Sequence, residues 1–146
     1  MKKMLSIALA SALTCGVVMA KEIKVGAVMP MSGPLAAYGQ VTNLGLELAN
    51  KLQPKLANGD TIKIVLLDNK GDKVETANAT TRLISSDNVV AILGALTSTN
   101  TAQTIALADK KKVPVIASVA TNDKLTAKRT FANRVCFTDS FQGEVV

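Results

Sequence analysis

The sequence predicts an α/β fold on a doubly wound parallel sheet, and three observations carry that reading. Short apolar runs alternate with stretches of helical spacing from residue 23 onward. The apolar runs lack strict in–out alternation, as strands buried on both faces do. The order, strand then helix, repeats until a fifth strand, and right-handed crossovers turn such an order into a parallel sheet.

Ile23 to Met29 (IKVGAVM) reads as the first strand, stopped by Pro30. Gln40 to Leu56 reads as a helix, with apolar or small residues at helical spacing at Val41, Leu44, Gly45, Leu48, Ala49 and Leu52. Asn58-Gly59-Asp60 makes a turn into the second strand, Thr61 to Leu67. Asp72, with Glu75 three residues on, opens a second helix in the manner of a capping box. Its expected inward stripe is Val74, Ala77, Thr81 and Ile84. Val89 to Leu93 is the third strand, and Thr101 to Lys112 a third helix capped by Ser98, Thr99 or Asn100. Val113 to Ala117 is the fourth strand, Ser118 to Thr126 a polar loop, and Phe131 to Phe137 the fifth strand.

Composition excludes whole classes of chemistry. The 146 residues hold no His and no Trp, so no Ser-His-Asp or Cys-His nucleophile and no His-ligated zinc site can be built. Two cysteines, Cys15 and Cys136, cannot form a four-cysteine metal site or a disulfide framework. The aromatics are Tyr38, Phe131, Phe137 and Phe141, too few for a base-stacking surface. Seventeen Lys and Arg face 11 Asp and Glu, for a net charge of +6. The densest run, Lys110-Lys111-Lys112, falls at a helix end, where cations complement the macrodipole, so no nucleic-acid or DNA partner is expected.

Residues 1–20 read as an export signal. Lys2 and Lys3 form the positive end, Leu5 to Val18 the apolar core, and Val18-Met19-Ala20 a small-residue cleavage site. The apolar core, about 14 residues, falls short of the ~20 that span a bilayer. Cys15 follows Ala12-Leu13-Thr14, which departs from the Leu-x-small pattern of a lipidation site. Without Lys2 and Lys3 the balance becomes 15 against 11, or +4.

In such sheets ligands bind outside the carboxyl ends of the strands. The loops there are Pro30 to Pro34, Asp68 to Gly71, Gly94 to Asn100, and Ser118 to Thr126. None contains the glycine-rich dinucleotide or P-loop pattern, and no cofactor is expected. Thr97-Ser98-Thr99 and Ser118 to Thr121 are rich in hydroxyls. A hydroxyl cluster at a helix start serves either as an ordinary N-cap or as an anion site built from O–H and N–H donors. Asp68, at a strand end, has the position of a phospho-acceptor, but an exported chain has no routine phosphodonor.

Ile23 to Val28 with Met31-Ser32-Gly33-Pro34-Leu35-Ala36-Ala37-Tyr38-Gly39 resembles the opening of the periplasmic binding proteins for branched-chain amino acids. Leu93 to Thr99 resembles their ligand loop, and Val113 to Ile116, Ala120-Thr121 and Leu125-Thr126 the next strand and loop. Phe131 to Gly143 is similar to the family's first crossing between lobes. These proteins are the substrate-binding components of ABC transport systems, with two α/β lobes that close over ligand (the type I periplasmic binding fold). After the export signal read at 1–20, the resemblance implies an incomplete N-terminal lobe at 21–140 and the start of the crossing into an absent second lobe at 141–146. It also implies a periplasmic location, a membrane permease as partner, a monomer when full length, and no catalysis.

By resemblance, Ser98 matches the hydroxyl that binds the ligand α-carboxylate together with backbone N–H groups. Val119 matches the position whose carbonyl accepts from the α-ammonium, and Thr121 a hydroxyl doing the same. Leu96 and Thr97 match the loop lining the site, with Cys in place of Thr97 in some members. Tyr38 matches an aromatic that packs near the ligand side chain; alternatively it staples the first helix to the sheet. Ser98, likewise, is alternatively only a helix cap.

Two further readings stand beside import of a small amino acid. A sensory protein of the same fold would hand the ligand to a receptor, and related binders take urea, short amides or aromatic acids. A flavodoxin-like or hydrolase-like enzyme would need a cofactor loop or a nucleophile with a base, and the sequence has neither. Secreted material is expected to begin at Lys21; N-terminal sequencing that returns Met1, or a lipid on Cys15, contradicts the signal.

Overall fold

The computed structural model describes residues 20–146. The expected signal and Cys15 therefore lie outside the described residues, Ala20 apart. In chain order the elements are β1 (Glu22–Met29), α1 (Ala36–Leu52), β2 (Thr61–Asp68), α2 (Lys73–Ser85), β3 (Ala91–Gly94) and α3 (Ser98–Asp109). Then come β4 (Val115–Ala117), a 3₁₀ turn (Asp123–Leu125), β5 (Ala132–Arg134) and α4 (Asp139–Val145). The strands form one sheet in the order β2-β1-β3-β4-β5, with every neighbouring pair parallel. This is the doubly wound sheet the sequence predicts, and its order reverses at β1 and β3, the switch point where such folds hold ligands.

Pairing is longest at β1. It matches β2 residue for residue from Glu22↔Thr61 to Met29↔Asp68, and it meets β3 from Val25↔Ala91 to Val28↔Gly94. The carboxyl ends of these strands therefore finish level. On one face of the sheet α2 and α3 cover a core of Val28, Leu83, Ile92, Ile105, Val115 and neighbouring alanines. Gly26 opens the slot for α2, since a Cβ there would lie 2.7 Å from Leu83 Cδ1.

Helix boundaries and faces depart from the sequence expectation. α1 runs from Ala36 to Leu52, four residues ahead of the predicted start, and stops before Pro54, whose ring disfavours helical backbone in the preceding residue. The apolar residues at helical spacing face outward: Val41, Leu44, Leu48 and Leu52 are 69%, 63%, 56% and 76% exposed. Gly39 and Asn43 are the buried residues instead. The reason is local, because a Cβ on Gly39 would lie 2.1 Å from the Pro30 carbonyl oxygen. That contact fixes the helix's rotation about its axis.

In α2 the buried face is Thr76, Ala79, Thr80 and Leu83, while the expected Val74 is exposed. Hydroxyls set this face: Asn69 Nδ2 donates to Thr76 Oγ1 at 2.9 Å, and Thr80 and Thr104 share a hydrogen bond of 3.2 Å across to α3. Asp72 caps α2 as predicted, accepting from the amides of Val74 and Glu75. Glu75 does not complete a capping box; it pairs with Lys70 instead, at 3.7 Å. α3 is capped by Thr97, whose Oγ1 accepts from Asn100 N at 3.3 Å, and not by Ser98, Thr99 or Asn100.

Two glycines of α1 supply a paired test. Gly39→Ala forces a methyl onto a carbonyl and is expected to cost at least about 2 kcal/mol, as overpacking does. Gly45 has nothing within 4 Å of a built Cβ, so Gly45→Ala should stabilise by about 0.5–1 kcal/mol through helix propensity. Urea unfolding of both variants reads the signs; two shifts in the same direction would refute the close approach.

Candidate functional site

The candidate site is built from the loops that leave β1, β3 and β4, with the β2 loop as their brace. The brace is Asp68, the last residue of β2. Its carboxylate accepts from the amides of Met31 and Lys70, both at 2.8 Å, and from the amide and hydroxyl of Ser32. Partial burial pushes the Asp68 carboxyl up, but the Ser32 hydroxyl and the three amides outweigh it and hold the group below its ordinary value. With four donors gathered on its carboxylate, Asp68 organises the β1 and β2 loops. Gly33, in the left-handed region at φ 79°, lets the β1 loop pass close to the Lys70 carbonyl.

After β3 the chain turns sharply. Gly94 sits at φ 122°, and a Cβ there would meet the Val28 carbonyl oxygen at 2.3 Å, so only glycine fits. Ala95 N then donates to Thr101 Oγ1 at 2.9 Å, which ties the loop to the first turn of α3. In that turn Asn100 N goes to the Thr97 hydroxyl and Thr101 N to the Thr97 carbonyl. Among the described residues the amides of Ser98 and Thr99 have no such partner, as is usual at a helix start. They point, with the positive end of the helix dipole, out of the α3 N-terminus.

All six residues singled out from the sequence line one cavity of about 250 Å³: Tyr38, Leu96, Thr97, Ser98, Val119 and Thr121, joined by Leu35 and Ala120. This is below the roughly 300–1,000 Å³ of a complete ligand pocket. Tyr38 is 67% exposed and Val119 45%. Such exposure removes the alternative in which Tyr38 staples the helix to the sheet. Ser98 is not a cap either: its Oγ accepts from Asn122 N at 3.3 Å, linking the α3 start to the β4 loop. A second cavity of about 270 Å³ lies along Thr99, Ala102, Asn122 and Lys124 and shares Ser98 as a wall.

Sequence reasoning missed the residues behind the cavity. Arg134, at the end of β5, donates to the carbonyls of Thr121 and Asn122, both at 2.6 Å. Cys136 Sγ donates to the Ala120 carbonyl at 3.4 Å. Ser140 donates through its hydroxyl and amide to Asp123, and these bonds, the hydroxyl's above all, hold that carboxyl below its usual range. The available signal was an arginine inside a short strand pattern, where a charge is retained only with partners. Among the described residues no group of three His, Cys, Asp or Glu side chains could hold a metal ion. No helix of the described residues is long and apolar enough to cross a membrane.

A family model described as periplasmic binding protein matches residues 22–144. The Leu/Ile/Val-binding protein homolog 7 of Brucella suis biovar 1 (strain 1330) is 30% identical over 128 residues, which cover 86% of this chain and 32% of that one. Among solved structures, the leucine binding protein LivK of Thermotoga maritima MSB8 superposes with a TM-score of 0.81 at 35% identity, covering 84% of this chain and 35% of that chain. The branched-chain amino acid transporter substrate binding protein LivJ of Streptococcus pneumoniae, in complex with isoleucine, gives 0.77 at 37% identity, with 82% and 35% covered. The chain thus spans about a third of the length of the relatives it matches.

The Asp68 brace predicts an acid limb in stability. Its carboxyl is depressed in the folded state, so its contribution is present above the ordinary value of 3.8 and is lost as pH falls through the folded value. Asp68→Asn should destabilise the protein at pH 7 and flatten the loss of stability that sets in as pH falls below the ordinary value of 3.8. Urea midpoints on either side of that value check it; an unchanged acid limb would show that Asp68 titrates alike folded and unfolded.

Proposed function

Since the chain belongs to the periplasmic binding protein family, we propose that it is the first lobe of the substrate-binding component of an ABC importer, capturing a branched-chain or related small amino acid in the periplasm. On this reading residues 1–20 are the cleaved signal, 21–140 the lobe, and 141–146 the entry to a second lobe that closes over the ligand and docks with it on a membrane permease. No covalent chemistry is involved. Capture and release are the whole cycle.

The chemistry of a zwitterion supports this. An α-carboxylate needs donors, and the Ser98 hydroxyl with the free amides of the α3 start supplies them where the helix dipole favours negative charge. An α-ammonium needs acceptors, and the Val119 carbonyl and Thr121 hydroxyl stand on the opposite loop. Leu96, Thr97 and Tyr38 give the ligand side chain a largely apolar wall. The observation that supports the proposal is the convergence of these six residues, drawn from the first turn of α1, the turn from β3 into α3 and the loop after β4, on one cavity. Open to solvent on one side, that cavity is half of a site, and affinity and specificity are completed by the second lobe.

The test is calorimetry on the complete gene product with a panel of aliphatic amino acids, urea, a short amide and an aromatic acid. Ser98→Ala should remove a charge-assisted hydrogen bond of roughly 1.5–3 kcal/mol, which is about a 10- to 150-fold rise in Kd. The control is Ser85→Ala, at the far end of α2, where the hydroxyl merely donates to the Thr81 carbonyl; its affinity should match wild type. If Ser98→Ala binds the best ligand as tightly as wild type, the carboxylate is held elsewhere.

A further inference from the structure

Arg134 does not itself line the cavity, yet its guanidinium holds the loop that forms one of its walls. Nη1 donates to the Thr121 carbonyl and Nη2 to the Asn122 carbonyl, each at 2.6 Å. The Thr121 carbonyl belongs to the same peptide group as the Asn122 amide, and that amide donates to Ser98 Oγ at 3.3 Å. Guanidinium, peptide and hydroxyl therefore form one hydrogen-bonded line, running from a fixed positive charge to the side chain at the α3 start.

We propose that Arg134 is a positioning residue for ligand binding, acting through the Thr121–Asn122 peptide to orient and polarise the Ser98 hydroxyl toward an anionic oxygen in the cavity. This rests on the reading of Ser98 as a carboxylate donor. A hydroxyl has one hydrogen to give and two lone pairs. With a lone pair taken by the Asn122 amide, the O–H vector is confined and its hydrogen is left for a ligand. Bonds in such a line strengthen one another: a cation on the carbonyl makes the amide a better donor, and that amide makes the hydroxyl a better one. The planar fork of arginine spans two carbonyls at once, which the single ammonium of lysine does not do.

Arg134 is not needed to hold the loop in place. Asp139 N also donates to the Thr121 carbonyl, at 3.0 Å, Cys136 holds Ala120, and Ser140 holds Asp123. Removing the guanidinium should therefore change how Ser98 is presented more than whether the loop folds.

The experiment is a double-mutant cycle in the complete gene product, with L-leucine as the probe. Arg134→Gln should weaken binding about 10-fold, the order of one charge-assisted bond. Arg134→Lys should recover only part of that. In a Ser98→Ala background Arg134→Gln should cost less than about 2-fold, because neighbours that act through one another are not additive. The control Arg82→Gln breaks only the α2 pair with Asp87 and should leave Kd at the wild-type value. An equal loss with and without Ser98, or full rescue by lysine, overturns the proposal. Amide exchange at Asn122 without ligand is a second arm that survives if the protein does not bind leucine. Faster exchange at Asn122 in Arg134→Gln, with the melting midpoint unchanged, supports the link, and unaltered exchange overturns it.

Discussion

The level finish of the parallel strands is the constraint on which the site depends. β1 pairs with β2 through Met29↔Asp68 and with β3 through Val28↔Gly94, so three chains turn away from the sheet at one height. Slipping β1 by a single residue would send its core face to the opposite side of the sheet. It would also carry the Asp68 carboxylate away from the amides it collects. Gly94 would lose its seat against the Val28 carbonyl, and with it the turn that aims α3 at the cavity. The register is thus fixed by burial, while its payoff is a row of loops that can share one small volume.

Hydroxyl groups supply much of the precision beyond that. Thr76, Thr80, Thr101 and Thr104 are fully buried, yet each has a partner: Asn69, the other helix, or the Ala95 amide. Threonine gives such an interface both a methyl to pack and an oxygen that must be satisfied. A satisfied buried hydroxyl specifies one alignment of its neighbours, because any other leaves an unpaired polar atom. The α2–α3 contact is of this kind, and α3 in turn carries Ser98. The position of the Ser98 hydroxyl is inherited from a chain of buried ones.

The fold class, the order of strands along the chain and the Asp72 cap were legible in the sequence, and the six residues singled out there fall among the eight that line one cavity. Strand runs and loop chemistry are local signals, and the ligand loops matched a family pattern. The helix faces were not legible. In α2 the buried face lies one residue around from the stripe of Val74, Ala77, Thr81 and Ile84, because the hydrogen bonds that seat Thr76 and Thr80 leave no mark in apolar spacing. In α1 the apolar stripe is real but does not face this sheet, because the Gly39–Pro30 contact is a meeting of two backbones that composition does not reveal. The α3 cap was displaced to Thr97 because three adjacent hydroxyl or amide residues offer equivalent caps until the turn after Gly94 is known. Arg134 differs: a charge inside a strand pattern signals that it has partners, but these are main-chain carbonyls, which side-chain identity does not reveal.

The outward stripe of α1 bears on how this chain behaves in a tube. Val41, Leu44, Leu48 and Leu52 form a continuous greasy ridge on one helix face, and ridges of that kind adhere to one another in water. Protein concentration therefore becomes an experimental variable in its own right. A dilution series beside any titration separates heat from contact between such ridges from heat of ligand binding.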